Sequence, residues 1–357
     1  MALTHLKVLN LTDNSLTGYI PDAVTKLTKL TSIDLSLNKL SSTIPSNIGQ
    51  LNKLQELFLS SNNLTGDLPT SMSLLTHLEF INLSNNLLSG YPFGDSFQLA
   101  DLTSLRYLDI SNCQFAGTIS ADVSNLSNLR LLLLGGNQFT GLIPKEISTL
   151  PLLSHFWAEM NMLSGTFPLE DMLNKQANLK SLSLSGNDLS GTIPTSFDQP
   201  SMLEELDLSV TYLESSIPES IAWFLPNLKL LDLSKTHLQG TLPASLGNMT
   251  RLQNLTIDHT LLQGTIPSGI GSCKSLRQVK LSYNQLTGNV PSTLGNLLAL
   301  KYLDLSTNLL QGSLATELGN LDTMHTLLLH SNQLTGTVPN EYVNMSELSK
   351  STWNRQC

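Results

Sequence analysis

The sequence is poor in the residues that usually carry chemistry. Only three cysteines occur in 357 residues, at Cys113, Cys273 and Cys357, and none forms a Cys-x-x-Cys pair. An odd number cannot pair fully within one chain, so no disulfide framework is implied. Charged residues make up only 13%, and 19 basic residues face 28 acidic ones, for a net charge of −9. That balance removes the cationic surface on which nucleic-acid binding depends. No apolar run approaches the roughly 18–20 residues needed to cross a bilayer. The longest, 221–225, ends at Pro226. Gly-x-Gly-x-x-Gly, Walker A, Gly-x-Ser-x-Gly and His-Glu-x-x-His motifs are all missing. His237, His259 and Asp258 fall near one another on neighbouring repeats, but zinc needs three or four converging ligands. No residues converge on a nucleophile, base or metal, so the expectation is a protein that is not an enzyme and uses no cofactor. A basic leader is missing as well, because Leu3, Leu6, Leu9 and Leu11 follow Met1 directly in the register described next.

What the sequence has instead is a repeat. The unit Leu-x-x-Leu-x-Leu-x-x-Asn-x-Leu-x-Gly-x-Ile-Pro, with a mixed tail, recurs about every 24 residues, as in 276–299. Its Asn position falls at Asn14, Asn38, Asn62, Asn86, Cys113, Asn137, Asn161, Asn187, Thr211, Thr236, Thr260, Asn284, Asn308 and Asn332, giving fourteen copies. Longer spacings place insertions in loops, around 93–99, 170–178 and 222–226. Alternation in Leu-x-Leu predicts a short strand with leucines inward, and successive copies stack as parallel strands about 4.8 Å apart. The Asn amide both donates and accepts, so stacked copies form a ladder that satisfies turn backbone. Cys113 reads as a ladder residue rather than a redox centre, and Thr211, Thr236 and Thr260 weaken the ladder locally. Gly permits a tight bend and Pro fixes an extended backbone, which predicts a second extended stretch at this step. Gly gives way to Ser42 and Ser215, and Pro to Ser120 and Ala315. The tail, as in 292–297, predicts a short helix or 3-10 turn. The array covers 1–348 without a recognisable cap at either end, and 349–357 reads as a frayed tail. The chain therefore reads as a fragment, an incomplete gene model or an uncapped array.

The unit resembles the plant-type leucine-rich repeat, L-x-x-L-x-x-L-x-L-x-x-N-x-L-x-G-x-I-P, over residues 3–344. That resemblance implies an α/β solenoid, a right-handed superhelix with a concave parallel sheet. It also implies the company of receptor-like kinase and receptor-like protein ectodomains, polygalacturonase inhibitors and algal repeat proteins. Extracellular or cell-surface placement follows, and a membrane-attached longer form stays open although this chain has no transmembrane segment. The function implied is recognition of a peptide, protein or glycan on the concave face, in perception or defence. A truncated receptor-kinase ectodomain and a structural or inhibitor-like wall protein are the alternatives.

Site residues are sought at the outward strand positions the pattern leaves free. Asp holds the middle of Leu-x-Leu in five copies, Asp34, Asp109, Asp207, Asp232 and Asp304. Lys280 and Leu328 break that habit. So does a cluster in copies three to seven: Phe58, Phe80, Tyr107, Leu131, Leu133, His155, Trp157, Glu159 and Met160, with Gly135 and Gly136 expected to leave bare backbone beside it. Grouped apolar and aromatic residues mark an interaction site; packing against the 93–99 insertion, or drift, is the alternative. Glu205, Asp207, Asp232 and Asp258 form a second, acidic patch suited to a basic peptide or cation, although two of the four follow the repeat's own habit. Seven sequons, at Asn10, Asn63, Asn82, Asn125, Asn248, Asn254 and Asn344, offer glycan acceptors in a secreted chain. Asn82 and Asn254 fall on the concave strands.

Overall fold

The computed structural model describes residues 5–94, 97–175, 177–196 and 198–352. The chain divides into two compact units, Met1–Leu179 and Lys180–Cys357. Both are built from the same turn of solenoid: a three-residue strand, a tight turn, a second short strand and a 3-10 helix. In the first unit the main-sheet strands are Val8–Asn10, Ser32–Asp34, Glu56–Phe58, Phe80–Asn82, Tyr107–Asp109, Leu131–Leu133 and His155–Trp157. In the second they run from Ser181–Ser183 to Lys350–Thr352. Pairing is parallel, and equivalent residues of adjacent copies stand opposite each other, as with Leu57 and Ile81 or Leu206 and Leu231. The central residue of each strand faces inward, and Leu57, Ile81, Leu108, Leu132 and Phe156 are all buried. Burying one such side chain stabilises by about 1.5–3 kcal/mol, so repetition alone builds the core.

The Asn ladder forms with a fixed set of partners. Asn86 Nδ2 donates to the carbonyls of Leu83 at 3.0 Å and Ser84 at 3.3 Å in its own turn, and to Leu59 of the preceding copy at 3.0 Å. Its Oδ1 accepts the Leu64 amide at 3.0 Å. Each amide thus stitches two copies together while satisfying groups that burial would otherwise orphan. Cys113 keeps the role with weaker chemistry, donating from Sγ to Leu83 O at 3.4 Å. Burial pushes its thiol up to about 11, which marks it as inert rather than nucleophilic. Thr211 and Thr236 bond the carbonyl three residues back, Leu208 at 2.7 Å and Leu233 at 2.8 Å. Thr260 donates instead to Asn284 Oδ1 of the next copy.

The residue before the Asn position adopts the left-handed conformation in every copy, including the β-branched Val210 and Thr307, both at φ 53°. The Gly of the Gly-x-Ile-Pro step does likewise, and Ser42 and Ser215 hold its place at φ 70° and 85°. At Gly66 a Cβ would come within 2.9 Å of the Thr43 methyl, so glycine serves both the turn and the close approach of the neighbouring copy.

The extended stretch expected at the Gly-x-Ile-Pro step is present: the second strand, as in Asn63–Asp67, carries the glycine, and Pro69 holds extended backbone at φ −62° and ψ 132°. Pro69 also precedes the 3-10 helix Thr70–Leu74, and its carbonyl accepts the Met72 amide at 2.9 Å. Proline costs nothing there, because the first amides of a helix have no internal partner. Where Ser120 replaces it, the hydroxyl accepts the Asp122 amide and caps the turn. The insertions at 170–178 and 222–226, expected as loops, carry true α-helices, Leu169–Lys175 and Ile221–Phe224. In the first, Leu169, Met172 and Leu173 make a buried stripe, with Glu170 and Asp171 in the first turn and Lys175 in the last, matching the helix dipole. Finally, Lys350–Thr352, expected in a frayed tail, form a strand beside Thr326–Leu328. Ser351 stands opposite Leu327, so the inward leucine is lost but the backbone pairing survives through the Ser349 and Lys350 amides on His325 O. The remainder of that expected tail, 353–357 with Cys357, lies outside the described residues.

Candidate ligand-binding face

Parallel stacking in register lines the outward strand positions of the first unit into rows. The first row carries Phe80, Tyr107, Leu131 and His155 on consecutive strands. The second carries Phe58, Asn82, Asp109, Leu133 and Trp157. Seven of the nine cluster residues therefore share one sheet face, Glu159 follows two residues past Trp157 with its carboxylate against Gly135, and Met160 stands at the rim on the left-handed turn, 66% exposed. The structure separates them by degree. Leu133 is buried between its neighbours at 9% exposure, while Phe58, Phe80, Tyr107, Leu131, His155, Trp157 and Glu159 are half-buried. Phe58 stands apart in its row, with the polar Asn82 and Asp109 between it and Leu133. The rings of His155 and Trp157 meet edge to face at 6.1 Å, an arrangement that fixes both.

The expectation of bare backbone at Gly135 and Gly136 is corrected. A side chain at 135 would collide with the Glu159 carboxylate, and one at 136 with the Asn112 amide. The glycines make room for those groups and are covered by them.

The structure also explains the recurrent Asp. Asp109 Oδ1 accepts the Ser111 amide at 3.0 Å and the Ser111 hydroxyl at 2.6 Å. Asp207 with Ser209, Asp232 with Ser234 and Asp304 with Ser306 repeat the arrangement, and Asn82 does the same with Ser84. These are local side-chain caps that end the strand, and the Asp-x-Ser spacing is their signature in the sequence. Tyr107 Oη lies 3.4 Å from Asp109 Oδ2, and burial, with that carboxylate beside it, pushes the phenol up to about 12.

In the second unit Asp207 and Asp232 are register neighbours. Burial raises the Asp232 carboxyl above its ordinary range, the Ser234 bonds oppose that, and repulsion from Asp207 and Asp258 adds to it. Glu205 accepts the Ser181 hydroxyl at 2.8 Å. Asp258 is engaged by His259 at 2.6 Å, whose ring stacks on Tyr283 at 4.1 Å. His237 packs instead against Tyr212 at 5.5 Å. Among the described residues no three His, Cys, Asp or Glu side chains are grouped to hold a metal. The patch is thus four acids each held by a local partner. Lys280 stands across from Asp304 with its ammonium 5.2 Å from the Tyr302 ring centre. Of the sequons, Asn10, Asn63, Asn125, Asn248 and Asn344 are exposed, and Asn82 and Asn254 are half-buried on the sheet face.

Leucine-rich-repeat family models match residues 1–40, 28–88, 104–126, 128–150, 178–199, 227–249, 275–297 and 299–321. The chain belongs to the leucine-rich-repeat family. Among solved structures it is similar to a TDR receptor, with 30% identity and a TM-score of 0.92 over 98% of this chain and 60% of that one. It is also similar to the Arabidopsis receptor kinase HAESA ectodomain, with 32% identity and a TM-score of 0.89 over 97% of this chain and 57% of that one. A Leptospira interrogans leucine-rich-repeat protein follows at 26% identity and a TM-score of 0.66, covering 96% of this chain and 94% of that one. The chain spans about three fifths of the length of the two receptors. No curated protein matches by sequence. Among the described residues no helix is long and apolar enough to cross a membrane.

Proposed function

We propose that the chain is a non-catalytic recognition module that binds an extended peptide across the outward sheet face of its first unit. The observation that carries the reading is the pair of rows from Phe80 to His155 and from Leu133 to Trp157, apolar and aromatic where the equivalent positions of other copies are mostly polar, such as Ser32, Glu56, Ser181 and Glu205 in the first row and Asp34, Asp207, Asp232 and Asp304 in the second. A strand-like peptide laid over parallel strands meets alternate side-chain rows, so such rows supply anchors while His155 and Glu159 supply polar contacts. The similar HAESA ectodomain is described in complex with a peptide hormone, and another similar chain is a plant peptide hormone receptor, RGFR1, in complex with RGF2. Those likenesses favour a peptide over a glycan, and favour extracellular or cell-surface placement within a longer receptor-like protein.

The test is a displayed random-peptide library selected on the wild-type chain, followed by calorimetry of the enriched peptides. The Trp157→Ala/Tyr107→Ala variant, folded by circular dichroism, weakens binding at least about tenfold, whereas Asp207→Asn in the second unit leaves it unchanged. Equal affinity of the double variant would move the site elsewhere.

A further inference from the structure

The fourth repeat departs from the pattern at the Gly-x-Ile-Pro step, away from the sheet face. In seven other copies the Gly-x-Ile-Pro step puts proline immediately before a 3-10 helix, as with Pro69 before Thr70–Leu74. In the fourth copy the order is reversed: Pro92 comes one residue early and Phe93 follows it. Phe93 turns into the core, 5% exposed, and its ring meets Phe139 at 6.0 Å. The chain then tightens, with the Gly94 amide on Tyr91 O at 3.0 Å and the Leu99 amide on Pro92 O at 2.9 Å. The 3-10 turn begins only at Leu99–Asp101. A cavity of about 630 Å³ lies here, lined by Leu68 and Thr70 of the third copy and Gly117 and Thr118 of the fifth.

We propose that this cavity is a binding site for a neutral pyranose oligosaccharide. Tyr91 stands at its wall, 69% exposed, with its ring resting over Gly117, where a Cβ would come within 2.7 Å of the ring. Glycine at 117 is what lets the ring lie there. An exposed aromatic ring offers a flat apolar surface for the C–H face of a sugar, with a polar tip. Asp67 and Ser89, joined by a 3.0 Å hydrogen bond, and the hydroxyls of Thr70 and Thr118 complete the lining. They are acceptors and two-way hydroxyl groups, the complement of a ring of sugar hydroxyls. The volume lies within the ~300–1,000 Å³ typical of small-molecule sites. Among the described lining residues no cationic side chain offsets the Asp67 carboxylate, so the site favours a neutral sugar over a uronate.

The experiment is saturation-transfer NMR and titration of the whole chain with cellotetraose, N-acetylchitotetraose and trigalacturonate. At least one neutral oligosaccharide binds, trigalacturonate binds more weakly, Tyr91→Ala loses about tenfold in affinity and Tyr91→Trp retains it. Absence of neutral-sugar binding at about 10 mM, equal binding of trigalacturonate, or unchanged binding by a folded Tyr91→Ala chain overturns the proposal. The Trp157→Ala/Tyr107→Ala variant serves as the independent control, because sugar binding at this cavity persists when the sheet face is disabled.

Discussion

Replacing Asn86 with Ala tests the account of what holds neighbouring repeats together. The side chain makes three donor bonds to backbone carbonyls, two within its own turn and one to the preceding copy, and accepts the amide of Leu64, which is fully buried. The net value of each bond is about 1 kcal/mol, and stranding a buried amide costs about 1–3 kcal/mol more. Because the three donor bonds share one NH₂ group they do not add fully, and the expected loss is about 3–5 kcal/mol. For a unit the size of Met1–Leu179, that corresponds to a fall in Tm of roughly 8–15 °C. Cys113→Ala is the matched control in the same unit, since it removes a sulfur contact of 3.4 Å; its expected cost is about 1 kcal/mol or less. Urea unfolding followed by circular dichroism gives both numbers, and amide exchange at Leu64 localises the first. Equal losses for Asn86→Ala and Cys113→Ala, or an Asn86→Ala loss below about 1 kcal/mol, would refute the ladder as the principal stitch between copies.

Further outcomes follow from the same geometry. Ser42→Gly and Val210→Gly, relieving left-handed residues at φ 70° and 53°, raise stability by about 0.5–1 kcal/mol each in urea titrations; a loss at both sites contradicts the strain argument. Gly66→Ala lowers it by more than about 1 kcal/mol, because the new methyl meets both the positive φ and the Thr43 methyl. Asp232→Asn keeps the Ser234 cap, as Asn82 does with Ser84, and removes a carboxyl whose folded pKa is raised. A raised carboxyl favours the fold fully below its ordinary pKa of 3.8, and that contribution is lost as pH rises through the folded value. The variant therefore matches or exceeds the wild type in stability at pH 7 and falls behind it near pH 3.5, as read by urea midpoints at the two pH values.

The fold was legible because each repeat states its own rule and fourteen copies agree. The strand positions, the three insertions and the role of Cys113 all follow from register. What register does not encode is how far side chains reach. Gly135 and Glu159 are one 24-residue repeat apart, so register places them side by side, but it does not say that the carboxylate folds over the glycine. Burial of Leu133 was hidden for the same reason, since outward position on a strand says nothing of the bulk on either side. Register places the insertions, but whether each becomes an α-helix, as at Leu169–Lys175, or a short antiparallel pair, as Phe93–Gly94 forms with Phe97–Gln98, depends on local chemistry: Leu169, Met172 and Leu173 have helical spacing, whereas Pro92 and Phe93 have none. The fifteenth strand was missed because Ser351 breaks the leucine pattern, while strand pairing needs only the backbone.

The central claim, that peptide is recognised on the sheet face of the first unit, is tested most directly by hydroxyl-radical footprinting with and without a selected peptide. Trp157 and Met160 lie at the proposed face, the latter 66% exposed, while Trp223 at 56% and Tyr91 at 69% exposure lie off it and serve as internal references. Binding lowers the oxidation rates of Trp157 and Met160 and leaves Trp223 and Tyr91 unchanged. Unchanged rates at Trp157 and Met160, with shielding at Trp223 or Tyr91 instead, would contradict the account.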